Sequence, residues 1–441
     1  MLKSPAMSQL SVRPYKGTRD FYPEDMRLQR YIFEVWRRVS ERFGYEEYNA
    51  PLLEMTDLYR AKTGEEIVNE QIYNFTDRGG RDVTIRPEMT PSLARLVAAK
   101  QQELRTPLRW YSIPNLWRYE RAQHGRLREH WQLNIDLFGT SDVSAEAEVI
   151  RIAHAVMQEF GATEHMFTIK LNHRELMSYI FGDYLQLNVD AAHRLSKLLD
   201  RKNKMNQDAF KNQIAAILGE KTDQFMALLE VERLRDLPEQ LFQSQAAQQL
   251  RELARVLHNT GVTNIHFDLT IQRGFDYYTG TVFEVFDTNP DNPRSIFGGG
   301  RYDDLLSIFQ AKQMPAVGFG MGDVGTMNFL RTHELIPSLS STTQVYVASL
   351  DPAYAEEAEH VANQLRDGDI NVAVDTTDQK IGAKIKTADK KNIPRVVIVG
   401  AEEAKAGKYT MRELSSGEEL TEDIAGLRII LTNDATRRLN I

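Results

Sequence analysis

A short stretch rich in proline, serine and threonine divides this chain into two parts with different secondary-structure patterns. The stretch is LIPSLSSTT, Leu335–Thr343, and it carries no charge after Glu334. A composition of this kind is typical of a linker between folded units. We therefore expect a first domain at residues 1–335, a linker at 336–343 and a second domain at 344–441.

The second part has the pattern of a small α/β domain. Its apolar strands VYVASL, VAVD and RVVIVG are separated by two amphipathic segments, Ala353–Leu365 and Ile381–Lys390. A regular β-α-β-α-β order places helices on the faces of a sheet. The sequence therefore predicts an α/β fold for residues 344–441.

The first part contains long amphipathic helices. Apolar residues at helical spacing predict a helix over 24–43, begun by Pro23 and ended by Gly44. A second helix is expected over Ser144–Phe160, with the serine as its cap. Residues 175–258 are rich in Leu, Ala, Lys and Gln, which indicates an inserted helical subdomain.

Strand-like segments surround these helices. Pro107–Phe138 has two apolar arms on either side of a charged tip, Ala122–Arg128, which predicts a long hairpin. Aromatic and β-branched residues predict further strands at Ile265–Leu269 and Thr279–Phe286. Helices and hairpin-linked strands in this order predict an α+β fold for the first part.

Composition excludes several classes of protein. The 441 residues include no cysteine, so disulfides and thiolate metal sites are ruled out, which fits a reducing compartment. We find no signal peptide and no apolar run long enough to cross a membrane. The net charge of −8 argues against a general nucleic-acid binder, although it is compatible with a local basic patch.

The hairpin carries a dense group of arginines. Four of them fall between positions 118 and 128, on one arm and the tip. Arginine suits phosphate and carboxylate oxygens because its charged fork of donors is rigid. Arg118 and Glu120 share a face of their strand, so the glutamate could orient the arginine. A solvated hairpin with cross-strand ion pairs is the better explanation of any single arginine, but the group as a whole favours an anion site.

A second polar group lies in QRGFDYYTGTVFE, Gln272–Glu284. Its arginine, aspartate and two tyrosines could line a polar pocket, with glycines allowing close backbone approach. The alternative is a tyrosine-rich strand that covers a core, and periodicity alone does not choose between them. A third segment, FGGGRYD at Phe297–Asp303, is either a glycine-rich strand against which a flat ligand could lie or a loop. Its flanking aromatic residues favour the packed strand.

One motif match points elsewhere. GMGDVG, Gly320–Gly325, fits the G-x-G-x-x-G fingerprint of dinucleotide-binding proteins. That fingerprint also requires a βαβ unit with an acidic residue at the end of a second strand, whereas this chain runs into the linker. We therefore exclude a Rossmann dehydrogenase. The ten histidines show no metal-binding spacing, and we interpret His124 and His130 as surface residues or pocket walls.

In this order, and over nearly the whole chain, these segments resemble the histidyl-tRNA synthetases, a family of class II aminoacyl-tRNA synthetases. RPEMT, Arg86–Thr90, is similar to the family's substrate loop, and Arg118–Gly139 to its motif 2 hairpin. Gln272–Glu284 resembles the signature that separates histidyl enzymes from other class II synthetases. GTRDFYPEDM, with the following helix and Pro51, resembles the motif 1 that builds the dimer interface.

The resemblance implies a class II fold. That fold has an antiparallel sheet with flanking helices, here with a helical insertion and a C-terminal α/β anticodon-binding domain. It also implies a histidine–tRNA ligase that forms histidyl-adenylate from ATP and passes histidine to tRNA(His). Mg²⁺ would accompany the ATP, with no side chain assigned as its ligand, and the enzyme would be a cytoplasmic homodimer.

The resemblance also implies roles for individual residues. Arg118 would grip the α-phosphate and the substrate carboxylate, and Glu120 the adenine amino group. Arg273 would assist attack on the α-phosphate, and Arg126 would lie near the ATP phosphates or the tRNA acceptor end. Asp136 and Tyr278 would bind the two imidazole nitrogens, which differ in donor and acceptor character. The full set expected around histidine is Glu88, Thr90, Arg118, Gln132, Asp136, Arg273, Tyr277 and Tyr278.

The sequence departs from the family pattern in motif 3. Gly325 stands where many members carry an arginine that holds the γ-phosphate, and Arg331 is about 240° further around the expected helix. Milder departures are Asp136 in place of glutamate, and Ala122 and His124 at the hairpin tip. The loss of the arginine is compatible with a histidine-sensing regulatory paralogue. Such paralogues generally lack the anticodon-binding tail and the arginines that this chain keeps, so we favour the enzyme.

Overall fold

The structure is a computed structural model that describes residues 11–61, 70–120, 125–199, 201–202, 205–271 and 277–439, with side chains as far as residue 432. The chain forms two compact units, Met1–Ile336 and Pro337–Ile441. Within the described part of the first unit the strands are β1 (Glu46–Glu47), β2 (Leu53–Met55), β3 (Tyr73–Thr76), β4 (Asp82–Ile85), β5 (Leu108–Ser112), β6 (Asn115–Trp117), β7 (Glu129–Phe138), β8 (Phe167–His173), β9 (Ile265–Phe267), β10 (Thr281–Asp287), β11 (Ser295–Arg301) and β12 (Ala316–Gly322).

One large sheet organises the first unit. Its order is β1-β5-β7-β12-β11-β10-β8-β9, and β6 pairs with the outer part of β7. Neighbours from β5 to β8 along this order run antiparallel, while β1 and β9 add parallel edges. This confirms the predicted sheet and the predicted hairpin, whose arms are β5–β6 and β7. Residues 121–124 of the hairpin tip, including Ala122 and His124, lie outside the described residues.

The helices of the first unit follow the sequence pattern closely. Their bounds are α1 (Pro23–Arg42), α2 (Thr56–Arg60), α3 (Thr90–Lys100), α4 (Ser144–Glu159), α5 (Arg174–Tyr179), α6 (Val189–Leu199), α7 (Gln207–Leu218), α8 (Thr222–Leu229), α9 (Glu239–Phe242), α10 (Gln245–Asn259) and α11 (Asp323–Thr332). Helices α5–α10 form the predicted insertion. Among the helices that the structure describes, none is both long and apolar enough to cross a membrane.

The predicted serine cap of α4 is wrong. Ser144 is the first helical residue, and its own backbone N–H is satisfied by the Asp142 carboxylate at 2.9 Å. An aspartate two residues before the helix thus performs the capping role, because a charged oxygen is a strong acceptor beside the helix N-terminus.

The long strand β7 separates the core from the polar face of the sheet. Leu133, Ile135 and Leu137 are buried in the core that α1 and α4 cover. Full burial of each such side chain stabilises the fold by about 1.5–3 kcal/mol. Side chains alternate along a strand, so Gln132, Asn134 and Asp136 point to the opposite face. A smaller core lies on that face, where α3 packs near Phe138.

Strand β12 excludes the dinucleotide-binding interpretation of Gly320–Gly325. It pairs antiparallel with both β7 and β11 before α11 begins at Asp323. A Rossmann site requires a parallel βαβ unit at this point. The fingerprint match therefore belongs to an antiparallel strand and the helix after it.

The described part of the second unit contains a five-stranded sheet, in the order β14-β13-β15-β16-β17. Its strands β13–β15 are parallel, which confirms the predicted β-α-β-α-β pattern, and β16 and β17 extend the sheet as an antiparallel ribbon. The elements are β13 (Val345–Ser349), α12 (Ala355–Arg366), β14 (Val372–Val374), α13 (Ile381–Lys390), β15 (Arg395–Val399), α14 (Ala401–Ala406), β16 (Tyr409–Glu413), β17 (Glu419–Glu422) and α15 (Ile424–Leu439).

A buried ion pair joins β11 to the first turn of α4. The Arg301 guanidinium donates to both carboxylate oxygens of Glu146, at 2.6 and 2.5 Å, and both side chains are less than a tenth exposed. Arg301 also donates to the backbone oxygens of Thr140 and Asp142. Loss of Glu146 would leave the buried Arg301 charge with only the partly exposed Asp303 carboxylate, 3.2 Å away, and this is costlier than the pair itself is stabilising.

We predict that Glu146→Ala destabilises the first unit by about 3–5 kcal/mol, because Arg301 would keep its charge in a buried site. The measurement is urea unfolding followed by tryptophan fluorescence, since all four tryptophans lie in this unit. Glu252→Ala is the control, because it breaks an exposed pair with Arg255 and should change stability little. Equal losses in the two variants would contradict the assignment.

Candidate active site

A pocket opens on the polar face of the large sheet. Alternate residues of β7 form one wall, and the start of α3 and the segment before β10 form others. Its lining comprises Glu88, Thr90, Arg118, Gln132, Asn134, Asp136, Tyr277, Tyr278, Tyr302, Gly318, Phe319 and Gly320. The structure thus brings together the predicted residues Glu88, Thr90, Arg118, Gln132, Asp136, Tyr277 and Tyr278.

Bare backbone forms the floor of this pocket. Gly318 pairs with Asp136 across the β7–β12 ladder, and a Cβ at Gly318 would collide with the Asp136 carboxylate. A Cβ at Gly320 would likewise collide with the Gln132 amide. Glycine is required at position 318, where a Cβ would also collide with the Ile135 carbonyl oxygen, whereas a side chain at position 320 would displace the Gln132 amide from its place in the pocket.

Asp136 is the most unusual group in the pocket. Its carboxylate is 3% exposed, and one oxygen accepts a hydrogen bond from the Tyr302 hydroxyl. The other, Oδ2, meets no hydrogen-bond partner among the described residues. Burial raises the pKa of Asp136 to about 7, against the opposing effect of the Tyr302 hydrogen bond. A buried acceptor of this kind is arranged to receive a ring N–H or a similar donor from a ligand.

Further acceptors lie on either side of this carboxylate. Glu88 is buried and accepts a hydrogen bond of 3.2 Å from the Tyr277 hydroxyl. The Oε1 atom of Gln132 is buried without a partner in the described structure. With the Thr90 hydroxyl, these oxygens could hold a positively charged amino group.

The opposite end of the pocket is cationic. The Arg118 Nε donates to the Pro87 carbonyl at 2.8 Å, which fixes the guanidinium beside the cavity. Glu120 lies 3.9 Å from Arg118 and 3.3 Å from Arg126, between the two arginines. Neither Glu120 nor Arg126 lines the pocket itself, so both stand at its outer margin. The pocket therefore runs from the Asp136 carboxylate to the Arg118 guanidinium. Such a pocket suits an amino acid whose side chain donates a hydrogen bond and whose α-carboxylate needs a cation.

His130 continues the polar face of β7 beyond Gln132. Burial, together with the charges of Arg118 and Arg19, lowers the pKa of His130 to about 3. The ring is therefore neutral at physiological pH. Its interpretation as a pocket wall stays a prediction.

Some residues that line the pocket were not predicted from the sequence, and one predicted residue lies outside the part of the chain that the structure describes. Arg273 belongs to residues 272–276, outside the described residues. Asn134 and Phe319 line the pocket but were not singled out. The period-two alternation of β7 would have indicated Asn134, because it stands between Gln132 and Asp136. Tyr302, which was seen only as a flank of the glycine run, reaches Asp136 through the folded sheet, and local sequence carries no sign of this contact.

The antiparallel sheet, the arginine-bearing hairpin and this pocket define the catalytic unit of a class II aminoacyl-tRNA synthetase. Residues 17–322 match the family model of histidyl-tRNA synthetase, and residues 344–431 match that of an anticodon binding domain. The chain belongs to the histidyl-tRNA synthetase family.

Curated relatives agree over nearly their full length. The chain is 44% identical to a protein of Leptospira biflexa serovar Patoc named histidine–tRNA ligase, over 94% of this chain and 95% of that protein. It is 36% identical to a protein of the same name from Haloarcula marismortui, over 92% and 94% of the two chains. Such identity over whole chains places this protein among aminoacyl-tRNA ligases.

Solved structures share the fold. A histidyl-tRNA synthetase from Nostoc sp. PCC 7120 aligns with a TM-score of 0.80 at 23% identity, over 97% of this chain and all of that one. A Bacillus halodurans structure described as an ATP phosphoribosyltransferase regulatory subunit/histidyl-tRNA synthetase aligns with a TM-score of 0.72 at 24% identity, over 89% of this chain and all of that one. At these identities the likeness concerns the fold alone, and it does not separate enzyme from regulatory subunit.

The raised pKa of Asp136 predicts a pH-dependent stability. The folded state holds the Asp136 proton more tightly than the unfolded chain does, so wild-type stability falls as pH rises from about 4 to 7. We expect the free energy of unfolding of Asp136→Asn, relative to that of the wild type, to rise by about 1.4 kcal/mol for each pH unit in that window. Urea unfolding of both proteins from pH 4.5 to 8 measures the difference.

The matched control is Asp223→Asn, which replaces a carboxylate that is 91% exposed on the helical insertion. Its stability should stay close to that of the wild type, because this side chain is in contact with water in the folded state as well. A pH-independent difference for Asp136→Asn would show that this carboxyl titrates normally.

Proposed function

We propose that this chain is a histidine–tRNA ligase that forms histidyl-adenylate from histidine and ATP and transfers histidine to the 3′ end of tRNA(His). The observation that carries the proposal is the buried Asp136 carboxylate in the pocket lining, one oxygen of which meets no hydrogen-bond partner among the described residues. An imidazole N–H is a donor of suitable size and polarity for that oxygen. The cationic end at Arg118 then suits the α-carboxylate of the same amino acid.

Histidine recognition uses both nitrogens of the imidazole ring. Asp136 Oδ2 accepts one imidazole N–H, while Tyr302 holds Oδ1 and so fixes the carboxylate. The hydroxyl of Tyr278 binds the other ring nitrogen, as the family resemblance implies, with Tyr277 beside it. A site built to pair two ring nitrogens rejects side chains that leave its buried polar groups unpaired. This is the source of amino-acid specificity in the proposal.

The amino acid backbone is held between opposite charges. Glu88, Thr90 and Gln132 bind the α-amino group, and two of these three offer buried oxygens. Arg118 binds the α-carboxylate and the α-phosphate, so that the two reacting groups share one cation. Removing their mutual repulsion and fixing their distance supplies most of the rate enhancement in such a reaction.

The reaction then proceeds in two transfers. A carboxylate oxygen of histidine attacks the α-phosphorus, and pyrophosphate leaves with the electron pair of the broken P–O bond. A terminal ribose hydroxyl of tRNA then attacks the acyl carbon, and AMP leaves. Glu120 binds the adenine amino group, Arg126 lies toward the ATP phosphates, and Arg273 assists the first transfer.

Magnesium would enter with the nucleotide. Within the described residues there is no group of three or more side chains suited to hold a metal ion. Mg²⁺ keeps much of its water shell and binds readily through phosphate oxygens, so the residues present fit an ion that ATP carries. Its contribution would be to neutralise charge on the departing pyrophosphate.

The second unit would bind the anticodon region of tRNA. Helix α13 and its flanks expose four lysines, Lys380, Lys386, Lys390 and Lys391. They form a local basic patch on a chain whose overall charge is negative, and such a patch suits a phosphate backbone. We propose residues 344–441 as the anticodon-binding domain, with 336–343 as its linker, in an enzyme of the cytoplasm.

We also propose that the enzyme is a homodimer. The small sheet β2-β4-β3 places Leu53, Met55 and Phe75 on one face, where each side chain is 45–48% exposed. The masking of such a contiguous apolar face by a second copy would remove it from water. This sheet follows the segment that resembles motif 1, which builds the dimer interface in the family.

The double variant Met55→Glu/Phe75→Glu should convert the dimer into a monomer, because two carboxylates would be buried at the interface. Light scattering at about micromolar concentration measures the mass. Val189→Glu is the control, since it adds a carboxylate at an apolar residue that is 88% exposed on the insertion. A wild-type monomer, or a double variant that remains dimeric, would contradict the proposal.

Exchange of labelled pyrophosphate into ATP tests the activity directly. We expect exchange with histidine and with no other of the twenty amino acids, because only histidine pairs both Asp136 and Tyr278. Absence of exchange, with histidine still bound, would identify a regulatory paralogue instead.

Asp136→Ala should lower histidine-dependent exchange by about 100-fold or more while ATP binding survives. Asp223→Ala removes an exposed carboxylate and should leave exchange unchanged. Full histidine discrimination in Asp136→Ala would overturn the pocket assignment.

A further inference from the structure

The missing motif 3 arginine leaves one phosphate contact of the proposed reaction without a residue. Position 325 is a glycine, and its surroundings leave little room for a side chain. A Cβ at Gly325 would lie 3.0 Å from the Ile296 carbonyl oxygen, so this position packs against the backbone of β11. The cation for the outer phosphates must therefore come from another element.

The strand register leads to a different arginine. Along β12, Gly318 is opposite Asp136 and Gly322 is opposite Gln132. The next residue, Asp323, accepts the Trp131 backbone N–H at 3.0 Å and a guanidinium N–H of Arg19 at 2.6 Å. Arg19 thus lies one step beyond the amino-acid pocket, at the end away from the imidazole-binding carboxylate.

The same end carries the hairpin and its arginines. Arg19 and Arg118 both act electrostatically on His130, which places their two charges around one neutral ring. A Cβ at Gly125 of the hairpin would be 3.7 Å from Asn328 of α11, so the hairpin extends over this helix. Arg19 and Arg118 thus place two guanidinium groups near the outer end of the pocket, and guanidinium groups suit the oxygens of a polyphosphate.

Arg19 is held firmly and yet has donors to spare. Asp323 is 1% exposed and fixes one guanidinium nitrogen, and the guanidinium carbon lies 4.9 Å from the centre of the Phe21 ring. The Nε atom is buried and meets no hydrogen-bond partner in the part of the chain that the structure describes. The side chain as a whole is 24% exposed, so a ligand can reach the guanidinium through its exposed part.

We propose that Arg19 binds the β- and γ-phosphates of ATP and the departing pyrophosphate, with Asp323 as its positioning residue. This inference rests on the proposed function and extends it. Arg19 takes the place of the arginine expected at position 325, from the segment before α1 instead of from α11. Asp323, the buried acidic residue at the start of α11, then has a defined role. It positions Arg19, which belongs to a different segment of the chain.

The test compares nucleotides that differ only in their outer phosphates. Titration calorimetry without histidine measures the dissociation constants of ATP with Mg²⁺, of pyrophosphate and of AMP. Arg19→Gln should weaken ATP and pyrophosphate by about tenfold or more and change AMP by less than about twofold. A purely structural role would weaken ATP and AMP together.

Three further variants complete the test. Asp323→Asn keeps the Arg19 charge but loosens it, so a smaller loss for ATP is expected. Arg19→Lys keeps the positive charge but loses the paired donors of the guanidinium, so it should retain more ATP affinity than Arg19→Gln. If Arg19→Gln is unstable, the lysine variant still shows whether the charge contributes to ATP binding. Arg331→Gln alters an exposed arginine of α11 and should leave all three constants unchanged.

Two results would overturn the inference. They are unchanged ATP affinity in Arg19→Gln, and equal losses for ATP and AMP. Either leaves the proposed function intact, because histidine-dependent exchange by the wild type tests that function separately.

Discussion

The register of β7 is the constraint on which the rest of the first unit depends. Its odd-numbered residues from Leu133 to Leu137 fill the core under α1 and α4, and its even-numbered residues line the pocket. A slip of one residue would exchange the two sets and bury the polar face. Fold and site are therefore specified by the same ten residues. The apolar contacts on one side hold the polar groups in place on the other.

Much of this arrangement could be predicted from local patterns. The hairpin, the insertion and the parallel strands of the second unit follow from periodicity, because each is encoded within a continuous segment. The contacts that complete the site are different. Tyr302 reaches Asp136 only after β11 and β12 have joined the sheet, and no spacing in the sequence reports that pairing. The cap of α4 was missed because two acceptors, Asp142 and Ser144, compete within one turn.

The β2-β4-β3 sheet was also beyond sequence reasoning. Its strands are three or four residues long, which is too short for an alternating pattern to stand out from the surrounding loops. The residue roles came from family resemblance instead of from physics alone. The structure adds that the predicted histidine-binding residues it describes line one cavity, while Arg273 lies outside the described residues.

The glycine floor of the pocket has a consequence for any attempt to change the substrate. Pockets are commonly enlarged by trimming the side chains that limit them, but Gly318 and Gly320 have no side chain to remove. Space for a larger amino acid would have to come from the tyrosines of the walls, and the hydroxyls of Tyr277 and Tyr302 hold the Glu88 and Asp136 carboxylates that we propose to bind the ligand. Substitution of these tyrosines would therefore weaken selection of the ligand by size and by chemical type at the same time. Substrate range is in this way tied to the backbone of β12, where substitution can only make the cavity smaller.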